Sequence, residues 1–285
     1  MKKILITGKG SYIGTHAKAW LEKNNNEYNV EEEDMQKEDW KQKDFSIYNV
    51  VLHVAGIAHV SADPSLKELY YKVNRDLAIE VAKKAKTDGV KQFIFMSSMI
   101  IYGKDAKIGE EKIINKTMKP DASDFYGQSK LEADREIKKL EDEKFKVVIV
   151  RTPMVYGPNC KGNFQKLKKI ANISPIFPDI ENRRSMIYID NLCEFFKQVI
   201  NKQKSGIFYP QNREYISTKD IIKILAEKQG KKIYFVKLFN PIIKFLSKYV
   251  NLINKVFGNK VYSKELSENF DYIVVENEES IRRSA

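Results

Sequence analysis

The chain has 285 residues, of which 42% are hydrophobic, enough to fill the core of one large domain or two closely packed ones. This composition excludes a disordered or fibrous chain. The net charge of +12 is compatible with nucleic acid, an anionic membrane or phosphate-bearing ligands, but the scattered lysines form no arginine-rich or aromatic-plus-basic RNA-binding pattern, so we expect no nucleic acid to bind.

Strand and helix patterns alternate along the first 150 residues. Short, continuously apolar runs predict buried strands, and apolar residues at helical spacing predict the helices between them. The predicted strands are Lys2–Thr7, Tyr28–Val30, Val50–Val54, Phe93–Met96 and Val147–Val150, and the predicted helices are Ile13–Leu21, Leu66–Ala85 and Phe125–Leu140. Strands of this kind indicate a parallel sheet covered by helices on both faces, so we predict a doubly wound α/β fold of the Rossmann type.

The pattern loosens after Arg151, where four prolines are expected to break any long helix. Three further helices are predicted at Leu192–Ile200, Thr218–Lys228 and Ile242–Phe257. The last is amphipathic, and we expect its apolar stripe to pack in the core rather than at a membrane surface or a dimer contact. This smaller C-terminal region is expected to hold the substrate.

A glycine-rich turn, Thr7-Gly8-Lys9-Gly10-Ser11-Tyr12-Ile13-Gly14, joins the first predicted strand to the first helix. Backbone N–H groups and the helix dipole at this place can hold a pyrophosphate, and glycine allows the tight turn and close approach. The turn therefore predicts a dinucleotide site. The candidate contacts are Gly8, Gly10, Ser11, Tyr12, Ile13 and Gly14.

The acidic run Glu31–Asp34 follows the predicted second strand about twenty residues after Gly14. A carboxylate there would accept hydrogen bonds from the adenosine ribose. The choice among Glu32, Glu33 and Asp34 is open, and we take Asp34 as the candidate. Because no arginine is present to pair with a 2'-phosphate and the carboxylates would repel one, the run favours NAD, with NADP the lesser alternative.

Tyr126 and Lys130 lie four residues apart at the start of a predicted helix, hence on one face. A nearby lysine and a positive nicotinamide would lower the pKa of the phenol so that it can act as a general base. Ser98 follows the strand Phe93–Met96, at the sheet edge where doubly wound folds place their chemistry. The alternative interpretations are that Ser98 is a turn serine and that Tyr126 and Lys130 form a surface pair. A second YxxxK at Tyr215–Lys219 shows that the spacing alone is weak evidence for a catalytic site.

Six segments, taken in order, resemble the motifs of the extended short-chain dehydrogenase/reductases, also called the NAD-dependent epimerase/dehydratase family. They are TGKGSYIG, HVAG at His53–Gly56, SSMIIYG at Ser97–Gly103, YGQSK at Tyr126–Lys130, RTPMVYGP at Arg151–Pro158 and RRSMIYIDN at Arg183–Asn191. The resemblance runs over most of the chain, and six ordered matches are far more specific than any one of them.

This resemblance implies that Ser98, Tyr126 and Lys130 are the catalytic residues, with Lys130 also holding the nicotinamide ribose. It implies further cofactor contacts from His53, Ala55, Gly56, Asn74, Tyr126 and Pro153. Besides Ser98, the expected substrate contacts are Arg184, for the substrate phosphates, and Asn163, a weaker candidate because asparagine in a loop is usually a turn former. The implied division is an NAD-binding domain at 1–155, rejoined by 184–205, and a substrate-binding region at 156–183 and 206–285.

The chain departs from the family pattern at two places. Ser11 replaces the middle glycine of the fingerprint, with Gly10 one position earlier, so we expect a slightly different turn and weaker cofactor binding. Met99 and Ile100 stand where dehydratases of the family have an Asp-Glu pair. A sugar 4,6-dehydratase is therefore disfavoured, because loss of water needs that proton transfer.

Two reactions fit the resemblance: a nucleotide-sugar 4-epimerase acting on a UDP-hexose or UDP-N-acetylhexosamine, which we favour, and an NAD(P)H-dependent 4-ketoreductase of surface polysaccharide biosynthesis. A non-catalytic NAD-binding regulator is a third alternative. A lipid-linked sugar substrate is also considered, because of the amphipathic Ile242–Phe257 and the positive charge. The family implies a homodimer.

The two cysteines, Cys160 and Cys193, form no CxxC or similar spacing, so neither a metal site nor a disulfide framework is expected. The apolar run within Met1–Gly8 is too short for the core of a signal peptide. No stretch approaches about 18 consecutive apolar residues, so no transmembrane segment is expected. These features predict a cytoplasmic protein, with the inner membrane surface as an alternative location.

Overall fold

Six parallel strands form the central sheet in the computed structural model, which describes residues 1–23, 27–58 and 63–285. Their order across the sheet is β10-β6-β4-β3-β1-β2. The strands are β1 (Lys2–Thr7), β2 (Tyr28–Glu33), β3 (Val50–His53), β4 (Gln92–Ser98), β5 (Ile113–Ile114), β6 (Lys146–Thr152), β7 (Met154–Tyr156), β8 (Ile176–Pro178), β9 (Met186–Tyr188), β10 (Gly206–Phe208), β11 (Tyr234–Val236) and β12 (Val261–Tyr262).

The register aligns the carboxyl ends of the central strands. Thr7 at the end of β1 pairs with His53 and with Glu33, and Ser98 at the end of β4 pairs with Thr152. The strand order reverses between β1 and β3, which creates the crevice where doubly wound folds bind their ligands. The predicted fold class is confirmed.

Helices cover both faces of the sheet, as continuously apolar strands require. On one face, Ala17 and Leu21 of the first helix share a core with Leu192 and Phe195. The other face packs against Ala78–Ala85 and against Ala133 and Ile137, as predicted from helical spacing. The helices are α1 (Tyr12–Glu22), α2 (Lys67–Tyr71), α3 (Ala78–Thr87), α4 (Phe125–Lys138), α5 (Asn163–Ile173), α6 (Ile189–Asn201), α7 (Thr218–Lys228), α8 (Asn240–Leu246), α9 (Asn251–Phe257) and α10 (Asn277–Arg283).

The second predicted helix, Leu66–Ala85, contains a π-helical turn at Lys72–Leu77 that joins α2 to α3. Such turns add a residue to one helical turn and frequently mark functional sites. Here the turn carries Asn74, which is fully buried.

The domain boundary expected after residue 205 needs a correction. Strand β10 pairs with β6 from Gly206 to Phe208, so the sheet extends past that boundary because its last strand follows α6 directly. The region beyond is also tied to the sheet: Phe257 and Ile281 lie in the same apolar core as Ile4 and Ile6 of β1. The two parts therefore share one continuous core.

The prediction of one core-packed helix at Ile242–Phe257 was wrong. Two short helices, α8 and α9, occupy this segment, separated by residues 247–250. No residue of α8 is buried, whereas Phe257 at the end of α9 is. The side chain of Leu252 lies outside the described part of the chain.

Helix α5, which was not predicted, lies between Pro158 and Pro175. The prolines bound helix α5 instead of breaking it, so the eleven residues Asn163–Ile173 between them form a regular helix. Among the described residues, no helix is both long enough and apolar enough to cross a bilayer.

Candidate functional site

The glycine turn leads from β1 into α1 with two glycines in the left-handed region. Gly8 has φ +119° and Gly10 has φ +71°. A Cβ on Gly8 would lie 2.8 Å from the backbone nitrogen of Ala55, so only glycine allows this close approach of the turn to the chain after β3. A Cβ on Gly14 would meet the Ser11 hydroxyl at 2.7 Å, because this glycine packs α1 against the turn.

Ser11, which replaces the family's middle glycine, is the N-cap of α1. Its φ and ψ of −69° and 147° are extended, a conformation open to any residue, and its hydroxyl accepts a hydrogen bond from the Gly14 nitrogen at 3.1 Å. Tyr12 and Ile13 begin the helix, where N–H groups have no intrahelical acceptor. The departure from the pattern thus supplies a helix cap without backbone strain.

The acidic run lies at the end of β2, and its members differ in their partners. The Gly10 nitrogen donates to Glu32 Oε1 at 3.3 Å, so Glu32 is the carboxylate against the glycine turn. Glu33 pairs with Lys43 at 2.8 Å. Asp34, the sequence candidate, accepts a hydrogen bond from the Gln36 nitrogen at 3.0 Å and so caps a local turn. The structure brings Glu32, rather than Asp34, to the turn.

His53 lies inside the protein. Its side chain is fully buried, its Nδ1 is 2.7 Å from the Thr7 hydroxyl, and its ring stacks near Phe93 and Phe95. Burial, reinforced by the positive charge of Lys130, lowers its pKa to about 3, so the ring is neutral. The His53 side chain therefore joins β3 to β1 at the carboxyl ends of these strands.

Asn74, Gly56 and Lys130 meet just beyond β3. The Asn74 side chain accepts a hydrogen bond from the Ile57 nitrogen at 2.8 Å and donates to the Ile57 carbonyl at 3.0 Å, which fixes the loop after Gly56. A Cβ on Gly56 would lie 2.9 Å from Asn74 Oδ1 and 3.2 Å from Lys130 Nζ. The buried amide and the glycine therefore keep this loop close to the lysine.

Tyr126 and Ser98 come together at the carboxyl edge of the sheet. Ser98 ends β4, and its hydroxyl also accepts a hydrogen bond from the Ile100 nitrogen at 3.2 Å. Asp124 caps α4 by accepting from the Gly127 nitrogen, which sets the first turn of the helix, and Tyr70 packs edge-on against Tyr126. Burial raises the pKa of Tyr126 to about 12, and hydrogen bonding to Ser98 opposes that rise.

Lys130 lies one helical turn after Tyr126 and is buried, with its ammonium donating to the Met96 carbonyl at 2.9 Å and lying 4.9 Å from the Phe95 ring centre. Burial lowers its pKa to about 8. Burial is therefore the largest influence on the pKa of both Tyr126 and Lys130.

A buried ion pair behind α4 was not predicted from the sequence. Arg151 on β6 binds both carboxylate oxygens of Asp134 on α4 at 2.9 Å, and its other nitrogen donates to Tyr102 at 2.8 Å. The Ser97 hydroxyl also donates to Asp134 at 2.9 Å. No local sequence pattern around Asp134 or Arg151 predicts that the two side chains pair. Arg151 was noted only as the first residue of the RTPMVYGP segment.

Three other predicted residues lie in different surroundings. Arg184 binds Asp105 at 2.9 Å and the Lys255 carbonyl at 2.8 Å, so its guanidinium already has partners within the chain. Asn163 is exposed at the start of α5, and Pro153 is buried between β6 and β7. The structure does not bring Asn163 to the other site residues through any described contact.

The second YxxxK has an ordinary structural use. The Tyr215 hydroxyl donates to the Tyr262 carbonyl at 2.7 Å, and Lys219 pairs with Asp179 at 2.7 Å. Within residues 1–23, 27–58 and 63–285, no group of three or more His, Cys, Asp or Glu side chains is placed to hold a metal ion.

The glycine turn, the loop after β3, and Ser98 with Tyr126 and Lys130 thus border one crevice. In sequence, the chain is 33% identical to the UDP-glucose 4-epimerase of Vibrio cholerae over 185 residues, covering 62% of this chain and 56% of that protein. It is 24% identical over 205 residues to the N-acetyl-alpha-D-glucosaminyl-diphospho-ditrans,octacis-undecaprenol 4-epimerase of Escherichia coli O157:H7, covering 70% and 60%. The chain spans somewhat over half the length of these curated relatives.

Solved structures share the fold over nearly the whole chain. A dTDP-4-dehydrorhamnose reductase from Clostridium acetobutylicum superposes with a TM-score of 0.76 at 19% identity, covering 98% of this chain and 97% of that one. The UDP-glucuronic acid 4-epimerase from Bacillus cereus, solved with NAD, gives a TM-score of 0.71 at 18% identity, covering 99% and 94%. A model of the NAD dependent epimerase/dehydratase family matches residues 4–209. The chain therefore belongs to the NAD-dependent epimerase/dehydratase family.

Proposed function

We propose that the protein is an NAD-dependent nucleotide-sugar 4-epimerase acting on a UDP-hexose or UDP-N-acetylhexosamine through a transient 4-keto sugar. The observation that carries the proposal is the meeting of Ser98 and Tyr126 at the carboxyl edge of the sheet, with Lys130 one turn along α4. The 33% identity to a UDP-glucose 4-epimerase supports this reaction over others of the family.

The glycine turn fits a dinucleotide. Gly8 and Gly14 have no room for a Cβ, α1 directs its first N–H groups toward the turn, and Glu32 offers a carboxylate beside Gly10 for a ribose. Bound NAD would supply the hydride acceptor and donor for C4. A carboxylate at this place favours NAD over NADP, because it would repel a 2'-phosphate.

In the proposed reaction, Tyr126 holds and moves the proton of the sugar's C4 oxygen, and Ser98 orients that oxygen by a hydrogen bond. Lys130 would also hold the nicotinamide ribose of bound NAD by a hydrogen bond. Because burial raises the pKa of Tyr126 to about 12 even with Lys130 one helical turn away, the phenol would become an effective base when the positive nicotinamide of NAD+ is also present. Proton removal from the sugar is thereby linked to an oxidised cofactor in the site.

The residues after Ser98 argue against a dehydratase. Met99 and Ile100 form the turn that follows β4, and Met99 is buried. Neither side chain can give or take a proton, which loss of water from the sugar would require. The 4-ketoreductase is the second candidate because it would use Ser98, Tyr126 and Lys130 without change. The fold of the solved dTDP-4-dehydrorhamnose reductase also matches 98% of the chain.

A homodimer and a cytoplasmic location, including the cytoplasmic face of the membrane, belong to the same proposal. Arg184 is proposed for the substrate phosphates, which would have to replace Asp105 as its partner. An interface between two copies would be tested by sedimentation velocity over a range of protein concentrations.

The first experiment is to denature the purified protein and measure released NAD+ and NADH, while native protein is incubated with UDP-glucose, UDP-GlcNAc and their C4 epimers without added cofactor. Interconversion of either pair is the expected result. Absence of interconversion, together with reduction of a 4-keto-6-deoxy sugar nucleotide by NADH or NADPH, would overturn the epimerase proposal in favour of the ketoreductase.

A further inference from the structure

Residues 238–250 carry an apolar face that the fold leaves exposed. Ile242, Phe245, Leu246 and Tyr249 are 60%, 57%, 41% and 73% exposed. Their spacing of three, four and seven residues places them on one side of α8 and of the helical turn that follows it. These four residues are called the 242–249 face below.

The segment is fixed to the protein by its opposite side. Ile243 packs against the core, and Ser247 is buried. The Asn240 side chain donates to the Asp179 carbonyl at 2.7 Å, and the Asn254 side chain donates to the Ser247 carbonyl at 2.7 Å. With these contacts holding its inner side, the 242–249 face points to solvent.

The sequence interval that contains this face carries charged side chains of one sign. Between Glu227 and Glu265 the sequence has no aspartate or glutamate and nine lysines. At about 100° per residue, Lys244 and Lys248 lie on the same side of α8, between its buried side and the 242–249 face. The lysines of this interval are Lys228, Lys231, Lys232, Lys237, Lys244, Lys248, Lys255, Lys260 and Lys264.

We propose that the 242–249 face binds the surface of an anionic lipid bilayer. An interfacial helix buries its apolar face at the boundary between headgroups and acyl chains while flanking lysines contact the headgroup phosphates. Aromatic residues such as Tyr249 are suited to this boundary because the ring is apolar and the hydroxyl is polar. The protein would lie on the membrane without spanning it.

A second copy of the chain is a poorer occupant. In a two-fold contact through this face, Lys244 and Lys248 of both copies would approach one another, because such an interface is self-complementary. The interval offers no carboxylate to neutralise them, and like charges brought together weaken association. An anionic lipid surface supplies the missing negative charge.

The test is co-sedimentation of the full chain with vesicles of phosphatidylcholine alone and with about 30% phosphatidylglycerol added. We expect binding to the anionic vesicles that weakens at high salt. The double variant Phe245→Ser/Tyr249→Ser should bind about tenfold more weakly, because it removes the apolar contact. Lys244→Glu/Lys248→Glu should also lose binding.

The control variants change exposed residues elsewhere on the protein. Ile47 and Val274 are each 47% exposed, so Ile47→Ser/Val274→Ser removes apolar surface away from the face. Lys91→Glu/Lys144→Glu makes the same charge change near the amino ends of β4 and β6, at the opposite edge of the sheet from the crevice. Both should bind as the unchanged protein does, and unchanged thermal unfolding would show that every variant is folded.

Three results would overturn the proposal: no binding to anionic vesicles, equal binding by the Phe245→Ser/Tyr249→Ser variant and its control, or self-association in sedimentation velocity that this variant alone abolishes. The last result would assign the face to a second copy. Vesicle binding is measured without substrate, so its outcome is independent of the proposed epimerase reaction.

Discussion

Arg151 and Asp134 form a two-point ion pair in the interior, with both nitrogen–oxygen distances at 2.9 Å. Arg151 belongs to β6 and Asp134 to α4, the helix that carries Tyr126 and Lys130. Asp134 also accepts from Ser97, the neighbour of Ser98. The pair therefore sets the position of α4 against β4, the strand that ends in Ser98.

Replacing Asp134 by asparagine should lower the free energy of unfolding by about 3–5 kcal/mol, because it leaves the buried Arg151 charge without a counter-charge. Urea unfolding followed by circular dichroism measures this. The control is Glu136→Gln on the same helix, which breaks the exposed Lys139–Glu136 pair and should change stability by less than about 0.5 kcal/mol. Similar losses in both variants would contradict a special role for the buried pair.

Tyr126→Phe should reduce C4 interconversion by about 10²–10⁴-fold while leaving NAD binding and folding intact, since it removes only the proton-transferring hydroxyl. The control is Tyr215→Phe in the second YxxxK, because the Tyr215 hydroxyl donates a hydrogen bond to the Tyr262 carbonyl. It should keep nearly full turnover. Initial rates at saturating sugar nucleotide decide the matter, and equal rates for the two variants would remove Tyr126 from the reaction.

Glu32→Gln should weaken NAD binding by about tenfold or more, because hydrogen bonds to a charged group contribute about 1.5–3 kcal/mol. Asp34→Asn should leave NAD affinity unchanged, because Asp34 caps the turn at Gln36 and does not contact the glycine turn. Calorimetric titration of NAD into cofactor-free protein compares them. The reverse order of affinities would restore Asp34 as the ribose ligand.

Lys130 links stability to pH. Burial lowers its pKa to about 8 from an ordinary value of 10.5, so between these values the unfolded chain binds more protons than the folded one. Its contribution to stability therefore rises as pH increases through this range. Lys130→Met should abolish that rise and, at neutral pH, stabilise the cofactor-free protein by about 2 kcal/mol after allowing for the lost hydrogen bond to Met96.

Urea unfolding at neutral and alkaline pH tests this linkage, since other titrating groups cancel in the difference between variant and parent. A variant that is less stable than the parent at neutral pH would show that the Met96 hydrogen bond outweighs the cost of burying the charge. Turnover should be lost in either case.

Ser11→Gly would restore the family's glycine, yet we expect it to lower stability by a few tenths of a kcal/mol, and Ser11→Ala by about 1 kcal/mol, because the hydroxyl caps α1. Thermal unfolding of the three proteins measures the order. A more stable glycine variant would indicate that the serine strains the turn.

The sequence was sufficient for the elements whose pattern is continuous. Thr218–Lys228 was predicted with its observed bounds, and β1, β3, β4 and β6 were found because buried parallel strands are apolar throughout. Strand β10 was missed, since Gly206–Phe208 is only three residues long and takes its place by pairing with β6. Short pairing segments of this kind have no periodicity to detect.

The proposed catalytic residues Ser98, Tyr126 and Lys130 could be chosen as candidates from spacing and motif, whereas their environment could not be predicted. Nothing local to Asp134 or Arg151 indicates that the two charges meet, because 17 residues separate them and the contact depends on how α4 packs on the sheet. The burial that moves the pKa values of Tyr126 and Lys130 in opposite directions is also a tertiary effect. For α8, amphipathic spacing identified the apolar face but could not tell whether the core or the solvent would receive it.

Strand β2 is the edge of the central sheet, and it ends in three successive glutamates. Glu31 and Glu33 project to one face of the sheet and Glu32 projects to the other. Lys43 forms ion pairs with both Glu31 and Glu33. An edge strand with free N–H and C=O groups can recruit another chain into a growing sheet, and charged side chains oppose this. The glutamates of β2, among them the proposed ribose ligand Glu32, therefore also protect the folded protein against edge-to-edge aggregation.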